Sequence, residues 1–280
     1  ERSKTVCRPP LVVMAAPNGA RLGHEDHVAI PLTARELADE AEALVDSGVS
    51  VLHLHVRDSV GRHTLDDSAY REAIHAITSR VSDRLILQVT TEAVGIYRPD
   101  EQMALVRALR PPAVSLALRE LCPDEASEGV AAAFFRDVLA GGTWPQYILY
   151  TPEEVARFER MRRAGVFGED HPFVLLVLGR KGAGIPGSPE GLQAMLGELG
   201  TAAVPWAACC FGSQEAAVMS AAASAGGHVR IGFENNCCLP GGALATNNAQ
   251  LVRATLAGID RQPADAGTVR RMFGLSGRLN

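Results

Sequence analysis

"TARELADEAEALVDSGVSVLHLHV", residues 33–56, holds a helix and a strand in one stretch. Thr33 occupies an N-cap position, Glu36 closes a capping box three residues later, and Gly48 ends the helical pattern. Beyond it, Val51-Leu52-His53-Leu54-His55-Val56 alternates, turning both imidazoles to one side of a strand and the aliphatic residues to the other. The same unit returns along the chain. Short apolar runs lie at 11–17, 51–56, 85–91, 112–118, 145–151, 173–179, 204–212 and 228–234, each too short for a lone helix. Helical patterns fill the intervals. "TPEEVARFERMRRAG" (151–165) repeats the first design, with Thr151 as cap, Pro152 in the first turn and Gly165 as stop. Nearly continuous apolar strands alternating with helices predict an α/β fold, a parallel sheet closed into a single (β/α)8 TIM barrel over residues 1–280. A doubly wound open sheet is the competing architecture. It is disfavoured because "AAPNGARLG" (15–23), after the first strand, lacks the GxGxxG spacing.

Composition narrows the function. A chain of 280 residues can bury one large core, and no linker or low-complexity tract divides it. The net charge of −5 leaves no basic footprint for nucleic acid. No apolar run reaches the ~18 to 20 residues of a membrane span. The opening "ERSKTVCRPP" lacks the apolar centre of a signal peptide, and its missing Met reads as a trimmed or tag-derived start. Cys7, Cys122, Cys209, Cys210, Cys237 and Cys238 show no CxxC spacing, and two pairs are sequence neighbours, which close a disulfide only under strain. Reduced thiols and a cytoplasmic location are expected.

Barrel chemistry sits at the C-terminal ends of the strands. The residues expected there are Asn18 and Arg21, then His53, His55, Arg57 and Asp58, then Thr90, Thr91 and Glu92. Ser115 and Arg119 follow at strand four, with Arg230, Glu234, Asn235 and Asn236 at strand eight. Closure sets strand eight against strand one, so His53, His55 and Glu234 can form a three-ligand divalent site with room for a substrate. Two histidines and one carboxylate suit zinc acting as a Lewis acid. On the His-x-His spacing alone, two structural histidines hydrogen-bonded at a strand end are an equal alternative.

Other features have plainer readings. "GRKGAGIPGSP" (179–189) is either a backbone cradle for ligand phosphates or a mobile surface loop. Cys209 and Cys210 read as core residues, while Cys237 and Cys238 lie just past the proposed ligand, where a reactive thiol is the lesser alternative. His24 and His27 fall in a charged, solvated loop; His63, His75 and His171 read as surface residues. Trp206 belongs either to the mouth or to the core.

Taken together, "HLHVRD…GR", "QVTT", "GGHVRIGFENN" and "NNAQLV" resemble the beta-keto acid cleavage enzymes, from "AAPNGA" to the closing "VRRMFGL". The resemblance implies a zinc-dependent barrel that joins a 3-keto acid to acetyl-CoA and releases acetoacetate and a new acyl-CoA. It implies zinc on His53, His55 and Glu234, a keto-acid carboxylate held near Thr90 and Ser115, a catalytic arginine at Arg230, and a homotetramer or other homo-oligomer. A 3-keto acid chelating zinc through its carbonyl and a carboxylate oxygen has an acidified methylene, whose enolate attacks the thioester before exchange and reverse Claisen cleavage. Arginine, with a pKa above ~12, is a poor base; in the family a neighbouring aspartate pairs with it.

This chain departs from that pattern. The aspartate is Asn235, and the glycine common after the paired threonines is Glu92. Two carboxylates that hold the ammonium of an aminohexanoate substrate are Arg21 and Ile148. A neutral or anionic distal group is therefore expected, with Arg21 either touching substrate or paired with Glu92. Glu92 either replaces the missing base or marks altered chemistry: another zinc-assisted C–C lyase or hydrolase, or ligand binding without turnover.

Overall fold

Thr33 and Glu36 make the reciprocal bonds of the capping box. Glu36 N–H donates to Thr33 Oγ1 at 3.2 Å, and Thr33 N–H donates to Glu36 Oε2 at 2.9 Å, opening the helix Ala34–Val45. Gly48 ends this unit with φ +92°, as Gly165 ends the later one with φ +74°. In the computed structural model, which describes residues 8–182, 184–200 and 204–275, such units close a parallel barrel. Its strands are β1 (Val13–Ala15), β2 (Val51–Leu54), β3 (Ile86–Thr90), β4 (Ala113–Ala117), β5 (Trp144–Leu149), β6 (Phe173–Leu178), β7 (Trp206–Cys210) and β8 (His228–Ile231). Each pairs with its sequence neighbour, and β1 pairs with both β2 and β8. All eight apolar runs are strands, and the open sheet is excluded.

Strand alternation divides the core in two. Leu11, Val13, Leu52, Leu54, Leu87 and Val89 face outward under the helices. Val12, Met14, Val51, Ile86, Trp144 and Phe173 fill the barrel. The last helix, Ala266–Met272, closes the N-terminal end: Phe273 sits 4.6 Å from Trp144 and 5.1 Å from Phe173, ring to ring. Trp206 starts β7 at this same end, over Gly227, so it packs at the bottom and does not line the mouth. Among the described residues, no helix is long and apolar enough to cross a membrane.

Two local features shape the opposite end. Between β2 and the next helix, Val56–Arg57 pairs antiparallel with His63–Thr64. Asp58 closes the ribbon's turn by accepting from Val60 N–H at 3.0 Å and Arg62 N–H at 2.9 Å, which is a structural use of that carboxylate. At the closure, Ala16 N–H donates to Ile231 O at 2.9 Å and Glu234 N–H donates to Ala16 O at 3.1 Å. Gly232 lies between them at φ +151°, and a Cβ there would be 2.2 Å from Ala16 O. Only glycine fits.

Glu215, on the helix Glu215–Ser224, supports this turn from beneath. It accepts from Gly232 N–H at 3.4 Å and Asn236 Nδ2 at 3.3 Å. Burial pushes its carboxyl up to about 8. With the folded pKa raised above an unfolded value near 4.5, the folded state keeps a proton that the unfolded chain releases. Stability therefore falls as pH rises from about 5 to 8 and is flat above. Chemical denaturation of wild type and Glu215→Gln across this range should show the wild type losing up to ~1.4 kcal/mol per pH unit relative to the variant. Parallel curves would show that Glu215 is already ionised in the folded state.

Candidate active site

Three lone-pair atoms meet at the mouth of the barrel. His53 Nε2 and His55 Nε2 are 3.1 Å apart, and Glu234 Oε2 lies 3.6 Å from the first and 3.5 Å from the second. Ligands ~2.0 to 2.1 Å from one tetrahedral ion are about 3.3 to 3.4 Å apart, so the triangle has the size of a zinc coordination face. Its chemistry agrees. Glu234 Oε2 is buried with no hydrogen-bond partner, and the outer bonds of both rings leave Nε2 without a proton.

Those outer bonds come from residues the strand pattern did not single out. His53 Nδ1 is 2.8 Å from Gln88 Oε1, an acceptor, so Nδ1 carries the hydrogen. The amide is oriented in turn: Gln88 Nε2 donates to Gln146 Oε1 at 3.0 Å, and Gln146 Nε2 donates to Met14 Sδ at 3.5 Å. His55 Nδ1 faces His63 Nδ1 at 3.4 Å, and His63 Nε2 donates to the Glu92 carbonyl at 3.0 Å. A ring that donates from Nε2 accepts at Nδ1, which places the His55 hydrogen on Nδ1 and frees its Nε2. His63 is therefore a buried part of the site, not a surface residue, because the ribbon folds it back over β2. The sequence signal for Gln88 and Gln146 was there: polar residues at inward-facing positions of strands otherwise apolar.

Electrostatics matches the donor set. Burial pushes His53 down to about 3, and the Arg230 charge acts the same way, so the imidazole is neutral at pH 7. Burial works against a charge on Glu234, but Arg230, His55 and His53 outweigh it and hold the carboxyl well below its usual range.

The loops fix these atoms. Asn18 Nδ2 donates to the carbonyls of Pro31 and His55, both at 2.9 Å. Arg57 Nη2 donates to Gly19 O at 2.6 Å and Leu22 O at 3.2 Å, tying down the loop after β1. Gly19, at φ +61°, lies against Glu234, whose Cγ would be 2.7 Å from a Cβ there. Asn248 joins the first and last loops, accepting from Phe233 N–H at 2.8 Å and donating to Pro17 O at 3.2 Å. In the same region His27 is buried: its Nε2 is 2.8 Å from Ala245 O and its ring 4.4 Å from Phe233, so the solvated reading of this histidine is corrected. His24, His75 and His171 are exposed.

A small pocket opens beside the triangle, lined by His53 and Glu234 among others. Thr90, Ser115, Glu92, Arg230 and Ile148 line it, together with Tyr150, Arg180 and Phe211, which the strand-end reading did not include. Ser115 Oγ and Arg230 Nε are buried with no hydrogen-bond partner among the described residues. Thr90 Oγ1 accepts from Glu92 N–H at 3.1 Å. Arg230 Nη2 contacts Glu234 Oε1 at 3.3 Å and Cys209 Sγ at 3.4 Å; among the described residues the Asn235 side chain bonds neither Arg230 nor any other group. Cys209 and Cys210 are buried core residues, the first turned to Arg230. Glu92 Oε1 accepts from Arg21 Nη1 at 2.7 Å and from Arg180 Nη2 at 2.5 Å. Burial opposes ionisation of Glu92, but the neighbouring His55 and Arg180 outweigh it and bring it to about 2. Arg21 itself is 59% exposed and stands at the rim. Arg119 is committed to Glu154 at 2.6 Å, and Asn236 to Glu215 and Cys238. In the glycine-rich loop, Gly179 N–H returns to Ile185 O at 3.0 Å, and Ala183 falls outside the described residues.

Known proteins share this sequence and fold. The chain is 27% identical over 274 residues to the 3-keto-5-aminohexanoate cleavage enzyme of Acetoanaerobium sticklandii, covering 95% of this chain and 98% of that protein. It is 24% identical over 279 residues to the 3-oxoadipate:acetyl-CoA acetyltransferase of Cupriavidus necator, covering 96% and 95%. Of solved structures, apo ObcA superposes with a TM-score of 0.69 at 17% identity over 88% of this chain, which spans 65% of ObcA's length. The model of the beta-keto acid cleavage enzyme family matches residues 10–275, and the chain belongs to that family.

Proposed function

We propose that this protein is a zinc-dependent beta-keto acid cleavage enzyme that converts a 3-keto acid and acetyl-CoA to acetoacetate and a new acyl-CoA. The observation that carries the reading is the shared pocket of two unprotonated imidazole nitrogens, an unpartnered carboxylate oxygen and the unpartnered donors Ser115 Oγ and Arg230 Nε. Two histidines and a carboxylate leave coordination positions open, and a divalent cation held there supplies Lewis-acid polarisation of the keto-acid carbonyl. Ser115 and Arg230 hold the carboxylate of the keto acid. Arg230, buried and with its pKa raised, stays cationic and offsets charge as the methylene proton leaves. Glu234 is a ligand in this reading, so Glu92 is the lining carboxylate left to accept that proton. The carbanion forms a C–C bond to the acetyl carbonyl and CoA thiolate departs. The thiolate then adds to the original ketone carbon, the C2–C3 bond breaks, and acetoacetate takes back a proton. Acetyl-CoA enters as co-substrate, and the assembly is a homo-oligomer, a tetramer by family likeness.

Metal binding is tested on metal-free protein by calorimetric titration with zinc. One equivalent should bind, and replacing His53 and Glu234 together by alanine should abolish it. Gln88→Ala and His63→Ala, which release the outer bonds of the two rings, should each weaken zinc about 10- to 100-fold. Unchanged affinity in the double variant would sink the site.

Turnover is tested by acetoacetate release with acetyl-CoA and a panel of 3-keto acids. Asn235→Asp sets a carboxylate where an unpartnered amide stands, on the strand-eight turn that follows Arg230. It should raise the rate tenfold or more, within the ~10²- to 10⁴-fold range of general-base effects. Glu92→Gln should lower kcat by a similar factor. A wild-type rate in both would make Asn235 and Glu92 spectators.

A further inference from the structure

Two arginines and two glutamates line this pocket, and Arg21 adds a third cation at its rim. Arg21, Arg180 and Arg230 face Glu92 and Glu234, and one oxygen, Glu92 Oε1, serves two guanidinium groups. Arg180 does not wander over the surface. Its side chain is 20% exposed, its Nη1 donates to Tyr150 OH at 3.1 Å, and its guanidinium stands 5.5 Å from the Tyr150 ring and 5.9 Å from Phe211. Aromatic faces and a phenol thus hold a cation on the pocket wall while its partner carboxylate is divided with Arg21.

Ala117, Ile148 and Val177, on β4, β5 and β6, give the same pocket apolar lining, and Arg180 comes just after β6. A ligand in this pocket meets the Ser115 and Arg230 donors, apolar side chains for its methylenes, and a second cation.

We propose that the keto acid is a 3-oxo dicarboxylate whose distal carboxylate takes Arg180 in exchange for Glu92. Arg180 is then the specificity-determining residue, and Glu92 is the counter-ion that occupies it until substrate arrives. An ammonium at the same position meets a guanidinium, and an uncharged alkyl end gives Arg180 nothing in place of the carboxylate it shares. Arg21, bound to the same oxygen, remains a partner of Glu92 after the exchange. This inference rests on the beta-keto acid reading of the site.

The experiment compares ligands of equal length. In the cleavage assay, 3-oxoadipate should exceed 3-oxohexanoate in kcat/KM by about tenfold or more, the scale of one charge-assisted contact. By calorimetry on the zinc-loaded protein, unreactive adipate should bind more tightly than hexanoate. Arg180→Met should erase both preferences, read as the diacid-to-monoacid ratio within each variant. Arg180→Lys, which keeps the charge but not the planar fork, should retain part of them, and thermal melts establish that each variant is folded. A wild-type preference for the monoacid, or a diacid preference that survives Arg180→Met, overturns the proposal. If adipate binds through Arg180 but no keto acid yields acetoacetate, the dicarboxylate site stands and the cleavage reading falls.

Discussion

The closure of β8 onto β1 is the constraint on which the site depends. His53 is on β2 and His55 just past its end, and their carboxylate partner is 179 positions after His55, just beyond β8. They meet only because the backbone of Ala16 accepts the Glu234 amide and because residue 232 has no side chain. The same joint explains why so many buried polar groups gather nearby. Asn18, Glu215 and Asn248 each satisfy backbone atoms of the first or last loop, groups that would otherwise be left unpaired away from water. A barrel can close without them, but its mouth would not have a defined shape.

Within that frame the polar interior is arranged by direction. Each proton in the two relays has one place to go, because each ends in a group that can only accept: a thioether for the Gln88–Gln146 string and a carbonyl for the His63 contact. Uncharged amides and imidazoles thereby fix the orientation of the ligands without placing another charge beside them. Arg230 pairs with Glu234 directly, and a second ionic group, Glu92 with Arg21 and Arg180, sets Arg180 beside aromatic rings. Fold and site are thus served by two separate kinds of polar packing.

The architecture was legible because it is written in local patterns. Capping residues, strand length and stop glycines recur with each unit, and closure follows from repetition. The three proposed ligands were also readable, since alternation decides which way His53 and His55 point and topology decides what strand eight meets. Side-chain partners formed by loops were not. The sequence put His63 and His27 on the surface because polar, charged neighbours surround them, yet the ribbon and the last loop cover them. The Arg21–Glu92 pair was one of two readings left open, whereas Arg180 was hidden in a glycine-rich loop read as either a phosphate cradle or a mobile surface loop. An ion pair across a barrel mouth has no sequence periodicity to betray it.

The small antiparallel ribbon has a consequence of a different kind. It hangs off the barrel between β2 and the following helix, contributes nothing to strand pairing around the ring, and has an exposed tip at Val60. Its His63 side chain touches an imidazole of the proposed metal triangle. Selection can rewrite such an appendage freely, since no barrel register changes with it. Homologous chains could thus drift in metal preference or redox tolerance through residues 58–62 and their neighbours, while the ligands themselves stayed invariant. Comparing ligand residues alone would miss that kind of divergence.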